Sequence, residues 1–283
     1  MRFLITGASG MLGRDLQTVL AGREVTALSR ADLDVTSHAA VRAAVADHDV
    51  VINAAAYTKV DEAESHEPDA AMVNAVGAGH LAQATAAEGA LLVQLSTDYV
   101  FDGTATTPYA EDSPTRPASA YGRTKADGER RAVDANPEGT FIVRTAWLYG
   151  EHGPNFARTM LALGSARPEV SVVTDQIGQP TWTMDLARQI VTLIDSDAPA
   201  GIYHGTASGE ASWFDFAREV FALGGLDPAN VKPTDSSSFV RPAPRPAYSV
   251  LGHDAWSEAG LSPMRDWKVA LREAFDTGAL KTP

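Results

Sequence analysis

A tyrosine and a lysine stand four residues apart in the stretch Tyr121-Gly122-Arg123-Thr124-Lys125. Residues with this spacing lie about one turn apart on one face of a helix, so the phenol and the ammonium group can serve a single site. A free phenol has a pKa of about 10, and a nearby cation lowers that pKa because it favours the phenolate. The pair therefore predicts proton transfer by Tyr121, although the same spacing also occurs by chance in many helices.

The 283-residue chain has the composition of a globular protein, with 45% hydrophobic and 21% charged residues. It has no cysteine, which excludes a disulfide framework, a thiol nucleophile and a zinc-thiolate site. The formal net charge of -13 argues against nucleic acid or an anionic membrane as a partner. The N-terminal apolar run is too short for a signal peptide, and none approaches the roughly 18 residues of a membrane span, so we expect a cytoplasmic protein.

A glycine-rich turn follows the short β-type run from Arg2 to Thr6 and leads into a segment with helical apolar periodicity. In such a strand-turn-helix unit, backbone N–H groups and the helix N-terminus hold a pyrophosphate, and only glycine permits the close approach. The spacing is Gly-x-x-Gly-x-x-Gly, for which a tight connection without a ligand is the alternative. The turn residues predicted to bind a dinucleotide are Gly7, Ser9, Gly10, Met11, Leu12 and Gly13.

The next predicted strand, from Glu24 to Leu28, ends where the ribose of a dinucleotide is recognised. Ser29 and Arg30 follow it, and a hydroxyl and a guanidinium suit the 2′-phosphate of NADPH. We therefore predict that NADPH is preferred over NADH, with an ordinary solvated arginine as the alternative for Arg30. Asp34 is expected to accept from the adenine amino group, to cap the following helix, or both, and Val35 belongs to the same predicted cofactor set.

Two further apolar runs predict buried parallel strands that end beside a cofactor. One runs from Val50 to Ala56 and ends in small residues, whereas the other runs from Ala90 to Leu95 and ends in Ser96, Thr97 and Asp98. Alternating strands and helices predict an α/β fold with a Rossmann-type doubly wound parallel sheet, which binds ligands at the carboxyl ends of its strands. The remaining residues of the predicted cofactor set are Ala54, Ala55, Ala56, Tyr57, Asn74, Tyr121 and Lys125.

Several stretches together resemble the dTDP-4-dehydrorhamnose reductase family of the extended short-chain dehydrogenase/reductase superfamily. The most specific stretch is Leu95-Ser96-Thr97-Asp98-Tyr99-Val100-Phe101-Asp102-Gly103. Residues 53–64, 73–75 and 144–150 also match, and the resemblance is densest over residues 1–185. It implies NAD(P)H-dependent reduction of the C4 ketone of a dTDP-6-deoxy-4-ketohexose, most simply dTDP-4-dehydro-L-rhamnose.

The resemblance implies three catalytic residues, Thr97, Tyr121 and Lys125. Tyr121 would give its proton to the ketone oxygen while Thr97 donates a hydrogen bond to the same atom. Lys125 would lower the pKa of the tyrosine and, as in the family, hydrogen-bond the nicotinamide ribose. A cap at a strand end is the alternative for Thr97.

The substrate is expected to lie over the strand ends and against the second half of the chain. Trp147 can pack its ring on a sugar. The resemblance implies that the stretches beginning at Asn155 and at Asp175 line the substrate site, where Gln179 and Thr181 offer neutral groups to sugar hydroxyls. Arg245 or Arg241 suits the diphosphate, with a surface arginine as the alternative for each. The predicted substrate-binding residues are Val60, Thr97, Asp98, Tyr99, Tyr121, Trp147, Asn155, Gln179, Thr181 and Arg245.

We expect two domains. Residues 1–150 would form the dinucleotide-binding domain, onto which a helix over 183–195 packs back, and residues 151–283 would mainly form a smaller C-terminal α+β substrate domain.

The chain departs from the family pattern near its proline-rich loop. Tyr248 replaces an asparagine of that pattern and Gly252-His253 follow Leu251, so the identity of the sugar stays open.

Three alternatives to this function remain. One is a related ketoreductase of an antibiotic deoxysugar pathway. A second is a nucleotide-sugar epimerase or dehydratase, although Asp98 alone does not complete the acid pair of a dehydratase. The third is a dinucleotide-binding regulatory subunit, although such relatives tend to lose the catalytic residues that are all present here.

None of the seven histidines lies in a metal-ligand spacing, so no catalytic metal is predicted. Some relatives are thought to bridge subunits through Mg2+, and a structural Mg2+ stays open because its carboxylates cannot be matched in this chain. The sequence does not decide the oligomeric state, for which a homodimer is considered.

Overall fold

The computed structural model describes residues 1–280 of the chain. Its strands are β1 (Arg2–Thr6), β2 (Glu24–Leu28), β3 (Val50–Asn53), β4 (Leu91–Thr97), β5 (Thr140–Thr145), β6 (Leu148–Tyr149), β7 (Val170–Val173), β8 (Ile177–Gly178), β9 (Thr181–Trp182), β10 (Gly201–His204), β11 (Ala211–Ser212) and β12 (Val231–Thr234). Its α-helices are α1 (Met11–Val19), α2 (His38–Val45), α3 (Val60–Ala63), α4 (Glu67–Ala71), α5 (Gly77–Glu88), α6 (Ala120–Ala135), α7 (Phe156–Ala166), α8 (Thr183–Ile194), α9 (Trp213–Leu223), α10 (Asp254–Glu258) and α11 (Trp267–Asp276).

A six-stranded parallel sheet with the order β10-β5-β4-β3-β1-β2 forms the centre of the fold. The chain passes from β1 to β2 on one side and then to β3 on the other, so the connections after β1 and β3 diverge. A switch of direction like this one opens a crevice at the carboxyl ends of the strands. The predicted α/β fold with a Rossmann-type parallel sheet is confirmed.

Helices cover both faces of the sheet. Successive side chains of a strand point to opposite faces, so Phe3 and Ile5 pack with α1 and α8, whereas Leu4 packs with α2, α5 and α6. Because both faces are buried, the strands read as continuous apolar runs in the sequence.

A second apolar core lies in the C-terminal half and joins α7, α9 and α11 to β7 and β12. Three two-stranded pairs, β11-β8, β12-β7 and β6-β9, accompany it. The later part of the chain also contributes to the first core, because α8 packs against α1 and β10 joins the large sheet. The division of the chain at residue 150 stays a prediction.

Among the helices within residues 1–280, none combines the length and the apolar composition that a membrane span requires.

Candidate active site

The first turn of α6 places Tyr121 at the carboxyl edge of the sheet. Ser119 starts the helix, because its Oγ accepts a hydrogen bond from the Gly122 N–H over 3.1 Å. A Cβ at position 122 would lie only 2.1 Å from the backbone oxygen of Tyr99. The glycine therefore lets α6 lie directly against the residues that follow β4.

Thr97 ends β4 and caps the short 3-10 turn that follows it. Its Oγ1 donates to Asp98 Oδ1 over 2.9 Å and accepts from the Tyr99 N–H over 3.2 Å. Asp98 is buried, and this burial raises the pKa of its carboxyl group to about 6, although hydrogen bonds from Ser249 and Thr97 oppose the shift. The Thr97 hydroxyl thus lies between a carboxylate and the cavity described below.

Tyr121 keeps its proton at neutral pH. Burial raises its pKa to about 12, the negative charge of Asp98 acts in the same direction, and a hydrogen bond with Thr97 opposes both. A phenol with such a pKa is a proton donor and not a base at pH 7.

Lys125 lies one turn further along α6 and is buried. Its Nζ donates to the backbone oxygen of Leu95 over 2.6 Å. Burial lowers the pKa of Lys125 to about 8, and the charge of Glu129 opposes that shift. The structure corrects the expectation that Lys125 lowers the pKa of Tyr121, because the amine points to β4 and burial of the phenol dominates.

A cavity of about 530 Å³ opens over Thr97 and Tyr121. It is lined by seven of the predicted substrate-binding residues, namely Val60, Thr97, Asp98, Tyr99, Tyr121, Trp147 and Arg245. Residues that the sequence analysis did not place there also line it, among them Met160, Trp213, Phe239 and Ser249. The cavity is therefore built from the sheet edge and the C-terminal core together.

Two stacked tryptophans form one wall of this cavity. The rings of Trp147 and Trp213 lie 3.5 Å apart between centroids, with 7° between their planes. Trp147 has a φ of 48°, in the left-handed region that bulky residues rarely adopt. Gly178 leaves room for its ring, since a Cβ there would lie 2.5 Å from Trp147 Cε2. Trp213 begins α9 directly after its cap Ser212.

Three predicted substrate-binding residues do not line the cavity. Gln179 and Thr181 are buried with their polar groups paired, because Gln179 exchanges hydrogen bonds with the Leu251 backbone and Thr181 Oγ1 donates to the Gln179 carbonyl. Asn155 caps α7, where its side-chain oxygen accepts from the Arg158 N–H over 3.1 Å. Internal hydrogen bonds satisfy these side chains, so we withdraw them from the sugar site.

The turn between β1 and α1 is shaped as a cradle for a diphosphate. Gly7 has a φ of 68°, and a Cβ on it would lie 2.6 Å from the backbone of Ala54. A Cβ on Gly13 would lie 2.4 Å from the Gly7 oxygen. Within residues 1–280 no side chain caps α1 at Gly10, which leaves the N–H groups of its first turn to a ligand. These residues fit the pyrophosphate of a nicotinamide dinucleotide.

The remaining predicted cofactor residues surround this cradle in different ways. Ser9 is exposed, while Met11, Ala54, Ala55 and Ala56 are half-buried. The side chains of Leu12 and Val35 pack into the two faces of the sheet, so they support the crevice from below.

Asn74 lies in a π-helical turn, Met72–Val76, and holds the segment after β3 in place. Its side chain accepts from the Tyr57 N–H over 2.8 Å and donates to the Tyr57 oxygen and to Thr124 Oγ1 over 3.2 and 3.1 Å. Asn74 thereby joins the cofactor crevice to α6.

The region after β2 offers an exposed cation. Arg30 is exposed, while Ser29 Oγ donates to Asp32 Oδ2 over 2.6 Å. Asp34 Oδ1 accepts from the backbone and hydroxyl of Thr36. Ser37 caps α2, so the helix-capping role considered for Asp34 is wrong.

Replacing Arg30 with alanine should raise the KM for NADPH about tenfold and leave the KM for NADH nearly unchanged, because the role predicted for Arg30 is one charge-assisted contact to the 2′-phosphate, which NADH lacks. Initial rates with each cofactor measure this selectivity. Arg42→Ala, at an exposed position of α2, is the matched control. An equal change with both cofactors would exclude phosphate recognition by Arg30.

Within the described part of the chain, no group of three or more His, Asp or Glu side chains stands close enough to hold a metal ion. The described residues therefore give no support for the structural Mg2+ that the sequence left open.

Comparison with known proteins extends these observations over the whole chain. The RmlD substrate binding domain family matches residues 1–279. A dTDP-4-dehydrorhamnose reductase of Streptomyces griseus is 54% identical over 282 residues, which cover 97% of this chain and 93% of that protein. A dTDP-4-keto-6-deoxy-D-glucose reductase of Streptomyces niveus is 52% identical over 278 residues, which cover 97% of this chain and 96% of that protein.

A solved structure shares the fold almost throughout. It is a dTDP-4-dehydrorhamnose reductase from Bacillus anthracis in complex with NADP, with a TM-score of 0.94 and 39% identity. The match covers 98% of this chain and 99% of that one. This chain belongs to the RmlD substrate binding domain family and to the dTDP-4-dehydrorhamnose reductases that its motifs resemble.

Proposed function

We propose that this chain is an NAD(P)H-dependent oxidoreductase that reduces the C4 ketone of a dTDP-6-deoxy-4-ketohexose, with dTDP-4-dehydro-L-rhamnose as the substrate and NADPH as the preferred cofactor. The observation that carries the proposal is the meeting of Thr97 and Tyr121 in the wall of one cavity. They lie at the same sheet edge as the glycine cradle that ends β1. The NADP complex of the relative supports the choice of cofactor.

The residues of this chain then handle the charge that reduction creates. When bound, the dinucleotide supplies the hydride for the ketone carbon. The substrate oxygen becomes negative, and Tyr121, protonated because its pKa is raised to about 12, gives that oxygen its proton. Thr97 turns its O–H from Asp98 towards the same oxygen and stabilises the developing charge.

Lys125 has the second role that the resemblance implies, a hydrogen bond to the nicotinamide ribose. Its buried ammonium group lies one helical turn from Tyr121. The hydrogen bond from Lys125 Nζ to the backbone oxygen of Leu95 holds the amine in this buried position.

The rest of the cavity supplies binding groups of two kinds. The stacked rings of Trp147 and Trp213 offer an apolar face to a sugar or a base. Arg241 and Arg245 line the same cavity and suit a diphosphate. Asp61 pairs with Arg245 Nη2 over 2.8 Å, so it orients this guanidinium at the cavity wall.

Following NADPH and NADH oxidation with dTDP-4-keto-L-rhamnose, formed in the assay by a 3,5-epimerase, tests the function. We expect oxidation of NADPH that depends on the epimerase. Faster turnover without the epimerase would assign the chain to dTDP-4-keto-6-deoxy-D-glucose, the sugar in the name of the Streptomyces niveus relative. No oxidation with either cofactor would contradict the proposal and favour an epimerase, a dehydratase or a regulatory subunit.

Arg245→Ala should raise the KM for the dTDP-sugar at least tenfold while changing kcat less than about threefold, because a charge-assisted contact to the diphosphate is uniform binding. Arg241→Ala tested in parallel shows which guanidinium carries the contact. Arg218→Ala, at an exposed position of α9, is the control. If both cavity variants keep the wild-type KM, the diphosphate binds elsewhere.

A cytoplasmic location and a homodimer remain part of the proposal as expectations from the sequence. Light scattering of the eluting protein during gel filtration tests the second.

A further inference from the structure

A buried ion pair lies beneath the reaction site. Glu129 is on α6, one turn after Lys125, and Arg144 is on β5. The guanidinium meets the carboxylate through two atoms, with Nη2 2.8 Å from Oε2 and Nε 3.0 Å from Oε1. The side chains of Arg144 and Glu129 are only 2% and 8% exposed. Such a pair is a weak source of stability, since removing two charges from water offsets much of their attraction.

The pair connects the elements that carry the reaction residues. Ser96 Oγ donates to Glu129 Oε1, and Ser96 lines the cavity directly before Thr97. Lys125 donates to Leu95, the preceding residue of β4. Helix α6 is therefore held to the end of β4 at two consecutive residues.

Arg144 is held in turn from its far side. Its Nη1 donates to the backbone oxygen of Glu111 over 3.1 Å and lies 3.4 Å from His204 Nε2. His204 Nδ1 lies 2.9 Å from the Gly252 oxygen, so the ring donates there and accepts at Nε2. Burial lowers the pKa of His204 to about 3, which keeps this ring neutral and leaves Arg144 as the positive partner of Glu129.

We propose that Glu129 is a positioning residue of the reaction site, which keeps Lys125 charged and fixes α6 to β4 so that Tyr121 meets Thr97. The inference rests on the proposed reductase function. The contacts of the ion pair run to α6 and β4, the two elements that carry Tyr121, Lys125 and Thr97.

The charge of Glu129 opposes the burial of Lys125, which lowers the pKa of the amine to about 8. The other charged or titratable groups around this pair are Asp98 beside Tyr121, Arg144 beside Glu129, and the neutral His204. A lysine is charged below its pKa, so activity that needs the ammonium group falls as the pH rises through about 8. Removal of the Glu129 charge should move this alkaline limb to lower pH.

The Glu129→Gln variant tests the proposal through the pH dependence of kcat. We expect its alkaline limb to lie about one pH unit below that of the wild type. Asp127→Asn is the matched control, because it makes the same acid-to-amide change on the exposed face of α6, where Asp127 pairs with Arg130 and Arg131. This control should keep the wild-type pH profile.

Glu129→Gln leaves the Arg144 charge buried without its partner, which can prevent folding. The double variant Glu129→Gln/Arg144→Met removes both charges, an exchange that proteins often tolerate. It should show a smaller shift in the same direction. A folded variant with a lower melting temperature but the wild-type pH profile would overturn the proposal and leave Glu129 a purely structural role.

A carbon-13 NMR titration of the lysine Cε tests the role of Glu129 without depending on reductase activity. The Lys125 signal, assigned by its loss in Lys125→Met, should titrate about one unit lower in Glu129→Gln than in the wild type. An unchanged titration would overturn the role of Glu129 even in an active enzyme. A wild type that does not oxidise NADPH would instead overturn the reductase function, whatever the NMR result.

Discussion

Replacing Tyr121 with phenylalanine should lower kcat for ketone reduction by about 10²- to 10⁴-fold, the range that general acid catalysis commonly contributes. The variant loses the proton that neutralises the substrate oxygen. The ring remains, and with it the edge-to-face packing on Tyr99 at 5.6 Å between centroids. The fold and the affinity for NADPH should therefore stay nearly unchanged.

Steady-state rates with saturating sugar and NADPH measure this loss, and quenching of protein fluorescence by NADPH measures the affinity. Tyr203→Phe is the matched control, because it removes another phenol oxygen. Tyr203 is on β10, and its hydroxyl donates a hydrogen bond to the Pro199 carbonyl over 2.8 Å. Tyr203→Phe should lower the free energy of unfolding by roughly 1 kcal/mol, the net contribution of a typical hydrogen bond. It should leave kcat within about twofold of the wild type. Full activity of Tyr121→Phe would remove this residue from the mechanism.

Replacing Gly122 with alanine should lower kcat by about 10²-fold, because a misplacement near 1 Å can cost that much. The new Cβ would lie 2.1 Å from the Tyr99 backbone oxygen and 3.0 Å from Pro117 Cβ, so the first turn of α6 must move. Tyr121 would move with it, away from Thr97. Helix propensity alone predicts the opposite, a gain of about 1 kcal/mol in stability from glycine to alanine.

The control for this variant is Gly79→Ala on α5. Its Cβ would lie 3.4 Å from Arg131 Cβ, an ordinary van der Waals distance. We expect wild-type kcat and an equal or higher melting temperature from it. If Gly122→Ala behaves in the same way, contact between α6 and the Tyr99 backbone does not set the position of Tyr121.

The local elements of the site were predictable because each depends on a few adjacent residues. The glycine spacing from Gly7 to Gly13 specifies a tight strand-to-helix turn, and the apolar runs before Asn53 and Ser96 specify strands buried on both faces. The position of Tyr121 in a helix followed from the same short-range logic. These predictions needed no knowledge of distant contacts.

The side chains of the substrate site were harder to predict, because a polar residue reads the same whether it meets a ligand or another part of the chain. Gln179 has the chemistry of a sugar ligand, but Leu251, 72 residues away, takes its hydrogen bonds. Trp147 and Trp213 become one wall only when the turn after β5 meets the start of α9.

The sequence by itself determined the order of strands and helices, the glycine cradle and the helix that carries Tyr121 and Lys125, since backbone periodicity and turn chemistry act over a few residues. Only the tertiary structure decided that the phenol meets Thr97, that its pKa rises to about 12, and that Lys125 binds the Leu95 oxygen instead of lowering that pKa. Burial and nearby charge set these properties, and both arise from segments that lie far apart in the chain.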